Sequence, residues 1–132
     1  MKTINQIFLV GRVGQPPQVK QRPGGVEVAR FPLATDRRVR DGEGWSKTTD
    51  WHTIVAFDHA ARLAAQYVKK GDAVAVVGDL RYERWEDDDG NPRRTANIVA
   101  RSLTFFPDHR SKPSLATYDP SAEPEATAAV PF

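Results

Sequence analysis

Apolar and polar residues alternate along much of the chain up to Phe106, and this period of two predicts β-strands. Five segments show the alternation or a dense run of Val and Phe: Asn5–Val13, Val26–Thr35, Thr48–Phe57, Ala73–Trp85 and Arg94–Phe106. Between the last two, residues 87–92 combine Asp, Gly, Asn and Pro, which predicts a hairpin turn. The pattern therefore predicts five strands, of which the last two form a hairpin.

A single segment has the spacing of a helix. Its apolar side chains recur at intervals of three and four, at Ala60, Leu63, Ala64 and Tyr67. Asp58 precedes them as a candidate N-cap, and Gly71 follows as a C-terminal stop. The segment Arg37–Lys47 is mostly charged and contains two glycines, so it predicts an exposed loop.

The predicted elements follow the order of three strands, one helix and two strands. Prolines and glycines at residues 16–17 and 23–25 mark the connection between the first two strands. This order is that of the OB-fold, a mainly β, five-stranded Greek-key barrel with one helix between strands 3 and 4, which binds oligonucleotides on one face and its loops. Other small α+β domains share the order. We predict one such domain over residues 1–106.

Residues 107–132 differ from the domain in composition. They contain five of the ten prolines, mixed with Ser, Ala, Thr and acidic residues, and such a segment cannot bury enough apolar surface to fold. Residues 1–106 carry 17 Lys and Arg against 13 Asp and Glu, whereas residues 107–132 carry 2 against 4. We predict a basic domain followed by a disordered, acidic C-terminal tail.

Several classes of function have no support in the residues. The absence of cysteine excludes disulfides and thiolate zinc sites, and it fits an intracellular setting. The chain has no P-loop and no Rossmann glycine motif. A calcium loop centred on Gly90 would need ligands at Trp85 and Ala96, which cannot chelate. No apolar run approaches the roughly 20 residues of a membrane helix. We expect a cytoplasmic binding protein without enzyme activity, cofactor or metal.

Aromatic side chains are the first candidate site residues. Alternation puts Trp51 and Phe57 on one face of the third strand, roughly 20 Å apart. In the fourth strand, Trp85 has the parity of the charged residues Asp79 and Glu83, so it lies on the wet face. Tryptophans in a small barrel are often core or rim residues, which is the alternative interpretation for both, and Phe57 is evenly balanced between the two.

Lysine and arginine residues cluster near these aromatics. The candidates for phosphate contacts are Lys20, Arg37, Arg38, Lys47, Lys69, Lys70, Arg84 and Arg93. Charged residues usually coat a solvated surface, but a basic groove interleaved with aromatic faces is also what sequence-independent binding of single-stranded DNA requires. The residues favour that function.

Several motifs follow one another along the chain. They are Asn5–Val19 with its Gly-x-x-Gly turn, Ala29–Thr35, Asp50–His52 followed by Phe57, Tyr67–Asp72, and Gly78–Leu80 leading to Arg84 and Trp85. In order and spacing these motifs resemble the bacterial-type single-stranded DNA-binding proteins, the SSB family. The resemblance covers residues 1–106 and the extreme C-terminus.

The resemblance implies an OB-fold homotetramer that binds and protects single-stranded DNA in replication, recombination and repair. It would make Trp51, Phe57 and Trp85 stacking platforms, and it would place His52 at the subunit contact. It also implies basic positions along the DNA, which are matched here by Lys20, Lys70 and Arg84.

The chain departs from the family at one stacking position. A tryptophan four residues past the Leu-Ala-Thr motif is replaced by Val39. Trp45, six residues later, is a candidate substitute, and an exposed loop tryptophan or hydrophobic anchor is the alternative.

The tail departs as well. Family tails end in an acidic run before Pro-Phe, which replication and repair proteins bind by capturing the terminal carboxylate and the aromatic ring. Here Pro131 and Phe132 are present, but Ala126–Val130 stands where the acids would be. We therefore expect partner recruitment to be weakened or altered.

Two other binding functions remain open. The chain could be an OB-fold protein that binds RNA, although no feature of it predicts recognition of a 2′-hydroxyl. It could also be a protein-interaction subunit such as a primosomal OB protein, which would have lost the platform aromatics, whereas Trp51 and Trp85 are both retained.

Overall fold

A computed structural model of the chain describes residues 1–106, which form six strands and one helix. The elements are β1 (Ile7–Val13), β2 (Gln18–Gln21), β3 (Glu27–Asp41), β4 (Gly44–Phe57), α1 (Asp58–Tyr67), β5 (Ala73–Glu86) and β6 (Pro92–Phe106). The predicted tail lies outside the described residues.

Five of the strands close into a barrel. β1 pairs with β5 along its length and with β3 at its end, so the pairing runs β1–β3–β4–β6–β5 and returns to β1. Only the β4–β6 pairing is parallel, and the helix follows the third barrel strand, β4. This topology confirms the predicted OB-fold.

The barrel interior is filled by alternate residues of its strands. The largest fully buried apolar side chains are Phe31, Leu33, Ile54, Val74, Val76 and Leu103. Helix α1 covers this core with Ala60, Ala61 and Ala64, whose small side chains let the helix lie close to the sheet. Full burial of each large apolar side chain contributes about 1.5–3 kcal/mol to the stability of the fold. The packed core therefore fixes the positions of the strands whose outer side chains form the surface.

The ends of the helix differ from the sequence prediction. Asp58 is the first helical residue rather than the N-cap, Phe57 takes the capping position, and no side chain caps the helix. Asp58 has a φ of 51°, a left-handed conformation that aspartate tolerates. The helix ends at Tyr67, and Gly71, with a φ of 91°, shapes the following turn instead. Because β4 ends at Phe57 and the helix begins at Asp58, no residue lies between them that could act as a side-chain N-cap.

The prediction of an exposed loop over Arg37–Lys47 is wrong. These residues form the outer half of a long hairpin, in which β3 and β4 pair without interruption from Val28 and Phe57 to Asp41 and Gly44. Gly42 begins the two-residue turn with a φ of 63°, as a primed hairpin turn requires. Cross-strand polar and cation–π contacts, rather than apolar alternation, stabilise these arms.

Strand β2 was also missed by the sequence patterns. All four of its residues are exposed, and it pairs only with β3, on the same edge that β1 joins further along. A short polar edge strand has no hydrophobic period by which it could be predicted.

The one helix of the described residues is too short and too polar to cross a membrane.

Candidate nucleic-acid interface

The register of the strands defines one continuous outer face of the sheet. Ile54 and Ala56 point into the barrel, so Trp45, Trp51 and Phe57 point outward from β4. Pairing of Thr53 with Asn97 carries this face onto β6, and pairing of Arg93 with Trp85 carries it onto β5. We call this surface, which bears three tryptophans and Phe57, the tryptophan face.

Trp51 lies at the centre of β4 on the tryptophan face. It is 61% exposed, which excludes the barrel core as its position. Its ring rests on Gly14, where an added Cβ would come within 2.5 Å of the indole. The predicted Gly-x-x-Gly turn is in fact the end of β1, and its second glycine, directly after the strand, provides the surface on which the indole lies.

Trp85 occupies the hairpin of β5 and β6. It is 48% exposed, and its Nε1 donates a hydrogen bond to the hydroxyl of Thr95 at 2.8 Å. An open pocket beside the ring is lined by Pro92 and Arg93. The hydrogen bond fixes the ring edge and leaves an aromatic surface available for stacking.

Trp45 lies near the tip of the β3–β4 hairpin and is 58% exposed. The guanidinium groups of Arg38 and Arg40 lie 5.3 and 5.7 Å from its ring centroid. Val39 pairs with Ser46 and therefore projects from the opposite face of the hairpin. Trp45 thus extends the face of Trp51 and does not occupy the surface on which Val39 lies.

The register also sorts the candidate phosphate-binding residues. Four of them share the tryptophan face: Lys20, Arg38, Lys47 and Arg93. Arg37 and Arg84 project from the opposite face. Arg37 pairs there with Asp50 at 2.8 Å, and Arg84 lies across from Arg94, whose guanidinium stacks 4.5 Å from the Tyr82 ring. The side chain of Tyr82 is itself exposed on this opposite face.

Lys69 and Lys70 lie in the turn between α1 and β5. This turn is held against the end of β1, because the amide of Gly71 donates to the carbonyl of Val13 at 2.8 Å. Val13 directly precedes Gly14, on which the Trp51 ring lies. Both lysines are exposed, and they lie near that end of the tryptophan face.

His52 has the opposite parity to Trp51, as the sequence predicts. Its Nε2 lies 2.8 Å from the hydroxyl of Thr35 on the paired strand. Its place at a subunit contact stays a prediction, as do the roles of Pro131 and Phe132, which lie outside the described residues.

Arg30 is a candidate that the sequence analysis missed. It pairs with Val55, so it shares the tryptophan face, and it lines two adjoining depressions. One depression contains Lys20 and Arg22, and the other leads past Pro32 toward Trp51. Arg30 alternates with Val28 and Pro32 along β3, but this pattern could indicate a site residue only if the outer face of β3 were already known.

No group of three potential metal-ligating side chains occurs within residues 1–106.

The turn of the β5–β6 hairpin is organised by one carboxylate. Asp87 accepts hydrogen bonds from the amides of Asp89 and Asn91, and its other oxygen pairs with Arg93 at 2.9 Å. The amide of Asn91, and next the guanidinium of Arg93, lower the pKa of Asp87. The turn that presents Trp85 therefore contains an ionised aspartate.

We expect this turn to loosen only in acid. Because the pKa is lowered in the folded state, the stabilisation is complete above the usual aspartate pKa and is lost as pH falls through the lowered value. An NMR titration of the Asn91 amide should show a midpoint below 3.8, the ordinary value for aspartate. A midpoint at or above that value would contradict the assignment.

Comparisons with known proteins agree with the fold. Residues 4–106 match the Single-strand binding protein family. The solved structure of the Plasmodium falciparum SSB complex with ssDNA is similar, with a TM-score of 0.73 and 36% identity over 80% of this chain and 97% of that chain. Since the family match spans most of the sequence and the barrel carries the same architecture, the chain belongs to the single-strand binding protein family.

Proposed function

We propose that the chain binds single-stranded DNA without sequence preference on the tryptophan face. The observation that carries the proposal is the placement of Trp45, Trp51 and Trp85, all about half exposed or more, on one surface with basic side chains between them. Exposed aromatic rings stack on any base, and the cations neutralise phosphates. The related Plasmodium falciparum protein is seen in complex with ssDNA.

Titration with oligo(dT) of increasing length tests this function. We expect quenching of tryptophan fluorescence on binding, because the rings are exposed in the free protein and become covered by bases. The affinity should fall steeply with salt and differ little between oligo(dT) and a mixed sequence of equal length. Binding that is independent of salt, or that prefers an RNA of the same sequence, would contradict the proposal.

The same titration defines the contribution of Trp45. If the hairpin tip contacts DNA, Trp45→Ala reduces both the quenching amplitude and the affinity, and the loss is larger for longer oligonucleotides. Its two neighbouring guanidiniums, from Arg38 and Arg40, support contact with a nucleotide, since they can bind the phosphate while the indole stacks on the base.

The proposal extends to a homotetramer. β1 and β5 present an apolar outer patch in which Phe8 pairs with Val77 and Val10 pairs with Ala75. Phe8 and Val10 are both more than half exposed in the single chain, and such a patch is suited to a second copy. Light scattering during the titration should report four subunits, and a monomer that binds with full affinity would argue against the assembly.

Roles in replication, recombination and repair in the cytoplasm belong to the same proposal. They rest on the family resemblance, and partner proteins would bind through Pro131 and Phe132. Removal of these two residues should weaken capture of such partners without changing the affinity for oligo(dT).

A further inference from the structure

Arg30 and Glu83 face each other across the tryptophan face. Arg30 projects from β3, and Glu83 projects from the β5–β6 hairpin on the same side as Trp85. Their side chains approach to 3.7 Å between Nη1 and Oε1, and both remain partly exposed. The pair therefore bridges β3 and the hairpin that carries Trp85, above β4 and β6, which lie between them in the sheet.

The position of Arg30 suits a phosphate contact. It lines both the depression that contains Lys20 and Arg22 and the one that leads past Pro32 and Thr53. Thr53 lies two residues from Trp51 on the same face of β4. A single-stranded DNA that follows the tryptophan face from Trp51 toward the β5–β6 hairpin therefore passes Arg30.

The contact of Arg30 with Glu83 is a weak one. At 3.7 Å it exceeds hydrogen-bond length, and solvent reaches both groups. A phosphate group that offers two oxygens at hydrogen-bond distance can therefore displace the carboxylate from the guanidinium.

Glu83, however, stays on the tryptophan face when Arg30 turns away. Its Oε1 also accepts a hydrogen bond at 3.1 Å from Nδ2 of Asn97, which is buried beneath it. The Oδ1 atom of Asn97 has no partner among residues 1–106, so the bond to Glu83 is the contact that orients this amide. The arrangement holds a negative charge beside the path of a polyanion.

We propose that Arg30 binds a DNA phosphate and that Glu83 is a built-in competitor for it, which lowers the affinity of the protein for single-stranded DNA. This inference rests on the proposed function and names a residue pair that tunes it. The competitor sets an upper limit on affinity without altering the stacking surface.

The test compares two glutamate-to-glutamine variants with the same change of charge. Glu83→Gln keeps an oxygen for Asn97 and removes the competing charge. Glu27→Gln is the matched control, because Glu27 also pairs with an arginine, Arg62, at 3.1 Å, but from the opposite face of β3. Affinity for oligo(dT) is measured by fluorescence at about 0.1 M salt, where distant surface charges are screened.

We expect Glu83→Gln to bind oligo(dT) about fivefold more tightly, because Arg30 no longer has to leave a carboxylate, and fivefold corresponds to one attraction between unit charges about 4 Å apart in water. Glu27→Gln should bind as the wild type does. Arg30→Ala should bind more weakly, and its salt dependence should be shallower by about 0.7, the value for one phosphate contact on a single strand.

A double variant separates competition from general repulsion. If Glu83 acts through Arg30, then Glu83→Gln gains less affinity in the Arg30→Ala background than in the wild type. An equal gain in both backgrounds, or equal affinities of the Glu83→Gln and Glu27→Gln variants, overturns the inference. If the wild type itself fails to bind oligo(dT), the proposed function fails instead. Thermal unfolding of each variant confirms that the fold is retained.

Discussion

Replacement of Trp51 by alanine is expected to weaken binding of single-stranded DNA by about 1–3 kcal/mol, the contribution of one base stacked on an aromatic ring. The stability of the fold should change little, because the ring lies outside the barrel and is 61% exposed. Fluorescence anisotropy with labelled oligo(dT) measures the affinity, and thermal unfolding measures the stability.

Trp51→Phe is the matched control for this experiment. Phenylalanine keeps a stacking face on the same strand, so it should retain most of the affinity. A large fall in Tm with unchanged affinity would show that Trp51 is a structural residue and would remove the central platform from the proposed interface.

The second large effect is expected at Gly78, where β5 passes from the barrel into the hairpin. A Cβ added here would collide with the backbone carbonyl of Val99 on β6, at the point where the register of the two strands shifts. Relief of such a clash requires backbone movement, so we expect Gly78→Ala to destabilise the fold by about 1–3 kcal/mol. Chemical denaturation measures the free energy of unfolding.

Gly44 offers a control for the loss of glycine itself. It lies in a strand without a positive φ, and its nearest atom to an added Cβ is the carbonyl oxygen of Asp41 at 3.9 Å. Gly44→Ala should therefore be neutral or slightly stabilising. Equal stability of the two alanine variants would contradict the close approach of β5 and β6 at Gly78.

Local patterns predicted the parts of the fold that depend on local geometry. Side chains alternate across any strand, so the exposure of Trp51 and of Trp85 could be argued before the barrel was seen. The helix was also predicted from a local pattern, because Ala60, Ala64 and Tyr67 recur at the spacing of one helix face. The motif Gly11–Gly14 was predicted as a turn, but Gly11–Val13 belong to β1, and the contact of Gly14 with the Trp51 ring appears only in the folded barrel.

Other parts could not be predicted because they depend on pairing between distant segments. The arms of the β3–β4 hairpin consist largely of charged residues, and they are ordered by cross-strand partners such as Asp36 with Thr49 and Lys47. The grouping of Arg84 with Trp85 in sequence suggested one binding cluster, yet neighbours in a strand point to opposite faces. Trp45 was an open question until the register showed that it shares the face of Trp51 and not that of Val39.

By itself the sequence determined the strands of the barrel, the single helix, the outward orientation of Trp51 and Trp85 and the family, because periodicity and motif spacing are properties of neighbouring residues. Only the tertiary structure decided which cations share the tryptophan face and that Arg30 meets Glu83 across it. The reason is that strand register and barrel closure set those distances, and both arise from contacts between residues far apart in the chain.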